Sequence, residues 1–102
     1  MEIVETRKEH IVQLNVSGRL DANTSVVLEN EIKEWLSFPA AKVLVLEFSK
    51  VEYISSAAIR VLLWAQKNIK FPHELIILNP SEFCEQVFQV TGADIFLRIE
   101  KR

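Results

Sequence analysis

The chain has 102 residues, 49% of them hydrophobic and 25% charged, which fits one globular domain over residues 1–102 and excludes a disordered chain. Twelve Lys and Arg against fourteen Asp and Glu leave a net charge of −2, without the basic excess of a nucleic-acid binder. The single cysteine, Cys84, excludes an internal disulfide, and two glycines, Gly18 and Gly92, cannot build a glycine-rich phosphate loop.

No apolar run nears the roughly 18 residues of a membrane span, and Met1 to His10 lacks the apolar core of a signal peptide. A cytoplasmic protein without membrane insertion is expected. Ile3 to Arg7 reads as a strand, and His10 falls in the turn after it. Val12, Leu14 and Val16 then alternate with Gln13, Asn15 and Ser17, the period of a strand with one buried face, and Gly18 is expected to end it. Leu28, Ile32, Trp35 and Leu36 recur at helical spacing, with Glu29, Glu31, Lys33 and Glu34 mostly opposite. Asp21 or Asn23 caps this helix, and Pro39 lies just beyond its end.

Val43 to Leu46 and Leu75 to Leu78 are continuous apolar runs, as in parallel strands buried on both faces. Between them Ala58, Leu62, Ala65 and Ile69 form a helical stripe. Asn79-Pro80-Ser81-Glu82 predicts a cap, a proline at the first helical position and a glutamate at the third. The helix that follows is expected to bury Phe83, Val87 and Val90 and to stop at Gly92. Ile95 to Ile99 completes the set as a last strand. The order ββαβαβαβ predicts an α/β fold, with a mixed sheet that carries the N-terminal hairpin.

Catalytic chemistry finds little support. His10, His73 and Cys84 have no partner at ligand spacing, so no metal site is expected, and Cys84 reads as a core residue. No serine sits in a glycine elbow, and Glu29 with Lys33 is an ordinary i,i+4 surface pair. Neither an enzyme nor a cofactor is expected. One segment stands out: Tyr53-Ile54-Ser55-Ser56-Ala57-Ala58 joins a buried strand to a helix through two adjacent serines. One of them serves as the N-cap. The other stands where free backbone N–H groups and the helix dipole favour a phosphate.

Gly18-Arg19-Leu20-Asp21-Ala22-Asn23-Thr24 resembles the G-x-L-D-x-x-T stretch of STAS domains, the fold of bacterial anti-sigma factor antagonists. Val43 to Phe48 is similar to their central strand. Val51 to Leu63 resembles their signature, often V-x-[FY]-[IM]-[DS]-S-[SAT]-G-[LI]-x-V-L. Leu75 to Pro80 and Val87 to Phe96 match the closing strand, helix and T-G segment. The resemblance therefore spans essentially the whole chain and implies a STAS-like α/β sandwich. It also implies a function: an unphosphorylated antagonist binds an anti-sigma factor and frees a sigma factor. A partner that is itself a GHKL-type serine kinase then phosphorylates the antagonist and releases it, and a phosphatase is a further partner.

Carried over residue by residue, the resemblance makes Ser56 the phosphoacceptor, with Ser55 second. It places Asp21 and Thr24 at the same end of the sheet. Ser55 stands where many members have aspartate. Ala58 stands where nearly all have glycine, putting a methyl group in the way of a closely approaching partner backbone. Arg60, Trp64 and Lys67 follow Ser56 at +4, +8 and +11, on one helix face. The expected partner surface is thus Asp21, Thr24, Ser55, Ser56, Ala57, Ala58, Arg60 and Trp64. For Trp64 two roles are open: packing over the helix edge onto the neighbouring helix, or a contact anchor whose loss costs little stability. The alternative function is a STAS module that does not switch, as an accessory subunit of a lipid-transport ABC complex or a stressosome-like scaffold.

Overall fold

Alternating apolar and polar residues set the first two strands. In a computed structural model describing residues 1–38 and 40–102, β1 (Glu2–Lys8) and β2 (Ile11–Leu20) pair antiparallel through a tight turn at Glu9 and His10. Val12, Leu14, Val16 and Leu20 point into the core from β2. Then come α1 (Ala22–Leu36), β3 (Val43–Ile54), α2 (Ser56–Asn68), β4 (Glu74–Leu78), α3 (Glu82–Thr91), a 3₁₀ turn (Ala93–Ile95) and β5 (Ile99–Glu100). The described residues form one five-stranded sheet in the order β1-β2-β3-β4-β5, with every pair after the hairpin parallel. The expected mixed α/β architecture is therefore present. Pro39 lies outside the described residues.

Each parallel connection steps to the next strand in the same direction. With right-handed crossovers, this puts all three helices on one face of the sheet. The main core follows from that layering: Leu44, Leu46, Phe48, Leu75 and Ile77 from the strands meet Leu28, Ile32, Leu62, Ala65 and Phe88 from the helices. On the other face, Val45, Ile76 and Leu78 form a small cluster made of strand residues alone. The central runs are parallel strands as expected, but helices cover them on one side only.

Several boundaries differ from the sequence reading. Gly18 does not end β2. It sits at φ +90 where the β2–β3 register shifts, and the strand continues to Leu20. A Cβ there would come 3.2 Å from the Met1 Cα, so the position needs glycine for space as well as for backbone angle. β3 likewise runs past the polar Ser49-Lys50 to Ile54. The cap of α3 is Ser81, with Pro80 just before it and Glu82 at the first helical position. That shift turns Cys84 and Phe88 into the core, leaves Phe83 and Val90 exposed and keeps Val87 partly buried. Gly92 ends α3 in the left-handed conformation, as its position predicts. The segment expected as a last strand is mostly the 3₁₀ turn, and only Ile99–Glu100 pairs with β4.

Candidate functional site at the carboxyl edge of the sheet

Because β2, β3 and β4 run parallel, α1, α2 and α3 all start at their carboxyl ends. Asp21 caps α1: its carboxylate accepts from the backbone N–H of Asn23 (3.0 Å) and of Thr24 (2.9 Å). The Thr24 hydroxyl accepts from the Asp21 N–H at 2.9 Å and donates to the Arg19 carbonyl at 2.7 Å, closing a capping box. Of the two candidates, Asp21 rather than Asn23 is the cap. Bonds from the Thr24 backbone and hydroxyl, then from the Asn23 backbone and the Arg19 charge, outweigh burial and hold its carboxyl below the usual range. This cap is complete above the ordinary carboxylate pKa and is lost as pH falls through the lower folded value.

Beside it, the Ser55 N–H donates to the Leu20 carbonyl at 2.8 Å, tying the start of α2 to the start of α1. Ser55 is the cap of α2, and its hydroxyl oxygen accepts from the Ala58 N–H at 3.2 Å. Ser56 is the first helical residue. It is exposed, and among the described residues its hydroxyl bonds nothing. The two serines thus divide the work, one committed to the helix and one open to solvent. Ser55→Ala is expected to lower the unfolding free energy by about 1 kcal/mol, the usual worth of an N-cap. A urea melt checks this, and an unchanged midpoint contradicts the cap assignment.

Asp21, Thr24, Ser55 and Ser56 therefore come together at one edge. Ala57 is half-buried next to them, and Arg60 is exposed one turn along α2, paired with no carboxylate among the described residues. Two expectations change. Ala58 has no exposed surface: its methyl lies on the core side of α2, so it neither touches a docked partner nor obstructs one. Trp64 is half-buried against the core, with the Lys33 Nζ of α1 5.6 Å from its ring centroid and Lys33 held by Glu29 at 2.9 Å. It packs in the seam between the helices, so its loss cannot leave stability untouched.

The sequence reading missed the residues flanking this edge. Arg19 and Tyr53 are register partners across β2 and β3, and the Arg19 guanidinium lies 4.2 Å from the Tyr53 ring centroid. Tyr53 in turn sits 5.9 Å from Phe83, which is 41% exposed at the start of α3. Arg19 and Tyr53 fall inside the motifs quoted above, but only the strand register reveals the stack. At α3 itself, the Ser81 hydroxyl donates to the Val51 carbonyl at 2.7 Å and accepts from the Cys84 N–H at 3.2 Å. Cys84 is fully buried, and burial pushes its thiol above the ordinary range. No described helix is long and apolar enough to cross a membrane.

This architecture is shared with solved proteins. The anti-sigma factor antagonist SpoIIAA in its unphosphorylated form superposes with a TM-score of 0.82 at 17% identity, over 99% of this chain and 88% of that one. The phosphorylated form of SpoIIAA, a Bacillus cell fate determinant, gives 0.77 at 17% identity, over 99% and 91%. An anti-sigma factor antagonist from Mycobacterium paratuberculosis gives 0.85 at 18% identity, over 96% and 83%. At these identities the likeness is one of fold. The sequence itself carries the assignment further, since the STAS domain model matches residues 2–102, and the chain belongs to the STAS domain family.

Proposed function

We propose that the protein is a cytoplasmic bacterial anti-sigma factor antagonist controlled by phosphorylation of Ser56. The observation that carries this reading is the division between the serines: Ser55 caps α2, while Ser56 presents a free hydroxyl on the exposed first turn. The chain acts as substrate rather than enzyme, and a GHKL-type anti-sigma kinase supplies ATP, magnesium and catalysis. The unphosphorylated edge binds that partner, and a phosphate on Ser56 releases it. With its methyl in the core, Ala58 leaves the exposed edge unchanged.

The physical consequences of the modification favour an effect at the interface. A phosphate adds about −1.5 to −2 charges, and at a helix N-terminus such charge is favourable by roughly 0.3–1 kcal/mol. Modification therefore leaves α2 folded and acts through desolvation and like-charge repulsion against whatever docks on the edge. Incubation with the cognate kinase and magnesium-ATP is expected to add one phosphoryl group to the peptide containing Ser56. Mass spectrometry checks it: Ser55→Ala is still modified and Ser56→Ala is not. A wild-type chain left unmodified overturns the reading, and recovery of ABC-transporter subunits as its stable partners favours the non-switching accessory role.

A further inference from the structure

We infer that the Arg19–Tyr53–Phe83 stack is the specificity-determining half of the partner surface, taking a carboxylate on Arg19 and an apolar side chain against Tyr53 and Phe83. This rests on the anti-sigma antagonist reading, and it names the chemistry the partner must bring to this edge.

The three side chains come from three elements: the end of β2, the end of β3 and the first turn of α3. Their stacking distances of 4.2 and 5.9 Å order them without help from a partner. Arg19 is exposed, and among the described residues it has no carboxylate within ion-pair distance. The nearby Asp21 carboxylate feels the Arg19 charge but lies beyond ion-pair distance, its Oδ1 held by two helix N–H groups. A guanidinium placed over an aromatic face leaves N–H groups for a further partner, and its fork matches a carboxylate bidentately. Phe83 is the apolar counterpart. It is 41% exposed and supplies the aromatic side chain to an open cleft of about 770 Å³ whose other lining includes Gly18, Val51, Lys50 and Glu82. Arginine and tyrosine are among the residues over-represented in binding hot spots.

The stack is continuous with the phosphoacceptor. Arg19 pairs with Tyr53 and Leu20 with Ile54, and Leu20 also accepts the Ser55 N–H. Ser56 follows three residues after Tyr53 across the turn from β3 into α2, so their backbones are at most roughly 11 Å apart, on the scale of the Debye length at physiological salt. A partner carboxylate seated on Arg19 therefore lies within the field of a phosphate on Ser56. The same negative group that gives specificity in the unmodified state gives repulsion in the modified one.

The test measures affinity of the purified chain for its cognate anti-sigma kinase by titration calorimetry, with thermal melts of every variant. Arg19→Ala and Phe83→Ala are each expected to weaken binding about tenfold or more, the scale of a hot-spot loss. Arg19→Lys keeps the charge but not the planar fork, and is expected to weaken binding as well. It also guards against misfolding of the larger truncations. Raised salt should narrow the affinity gap between Ser56→Ala and Ser56→Asp in the wild-type background but not in Arg19→Ala. Normal binding by folded Arg19→Ala and Phe83→Ala, together with a normal response to Ser56→Asp, overturns this inference and leaves the proposed function standing. No binding by the wild-type chain overturns both.

Discussion

Ser56→Asp is expected to bind the anti-sigma partner at least about tenfold more weakly than Ser56→Ala, a difference of about 1.4 kcal/mol. The effect is local. Position 56 is the first residue of α2, where a carboxylate is welcomed by the helix dipole, so the acidic variant folds at least as well as the alanine one. Any loss of affinity is then an interface effect. Aspartate carries one charge where phosphoserine carries nearly two, so the true phosphoprotein should bind more weakly than Ser56→Asp. Surface plasmon resonance with immobilised kinase checks the order alanine, aspartate, phosphoserine. Equal affinities for the alanine and aspartate variants contradict the switch.

Trp64→Ala is expected to cost about 2 kcal/mol of unfolding free energy, below the 3–5 kcal/mol typical of a fully buried Trp because this ring is half-buried. The loss has three parts: contact with the core, the Lys33 ammonium over the ring, and the seam this ring fills between α1 and α2. A urea melt gives the number, and a midpoint unchanged from wild type contradicts the seam placement. Trp64→Phe keeps most of the packing and should recover more than half of the loss. The ring's exposed edge still lies below Ser56 and Arg60 on α2. A drop in partner affinity in Trp64→Phe, with stability largely restored, assigns that edge to the partner surface.

The parts of the fold legible in the sequence are those governed by neighbours along the chain. Val12, Leu14 and Val16 are buried in alternation, and Ala58, Leu62, Ala65 and Ile69 lie in the core as their spacing predicts. Gly92 ends its helix because a left-handed residue is needed there. The misreadings share a different cause. In α3 the apolar residues Phe83, Cys84, Val87, Phe88 and Val90 spread over an arc of roughly 160° at about 100° per residue, wider than the line of Cys84 and Phe88 that is fully buried, so periodicity alone does not choose that line. The choice is made by Ser81, which bonds the Val51 and Phe48 backbone across the fold. In β2 and β3 the register shifts break the simple alternation, and a period of two cannot be followed through them. For the same reason Asp21, Ser55 and Ser56 stand out in the sequence as caps and candidates at helix starts. The Arg19–Tyr53 stack, which depends on that shifted register, does not.

The sheet order β1-β2-β3-β4-β5 also bears on how the chain folds. Each strand pairs with the strand that follows it in sequence, so no strand must slip between two already in place. Closing β2 on β3 and β3 on β4 each spans about thirty residues, and loop-closure entropy grows only logarithmically with that span, so the two steps carry nearly equal cost. The sheet can therefore nucleate around β3, which carries more buried apolar residues than any other described strand, and add strands outward. At its far edge β5 pairs with β4 through Ile99 and Glu100, and the segment is further held by the buried Ala93 and Leu97, by Arg98 on Glu74 and by the Arg102 N–H on the Asn79 side chain. The edge bearing Ser56 stands at the carboxyl ends of β2 and β3, the most extensively paired strands of the sheet, so its opening is expected to require loss of the central pairing rather than fraying at an edge.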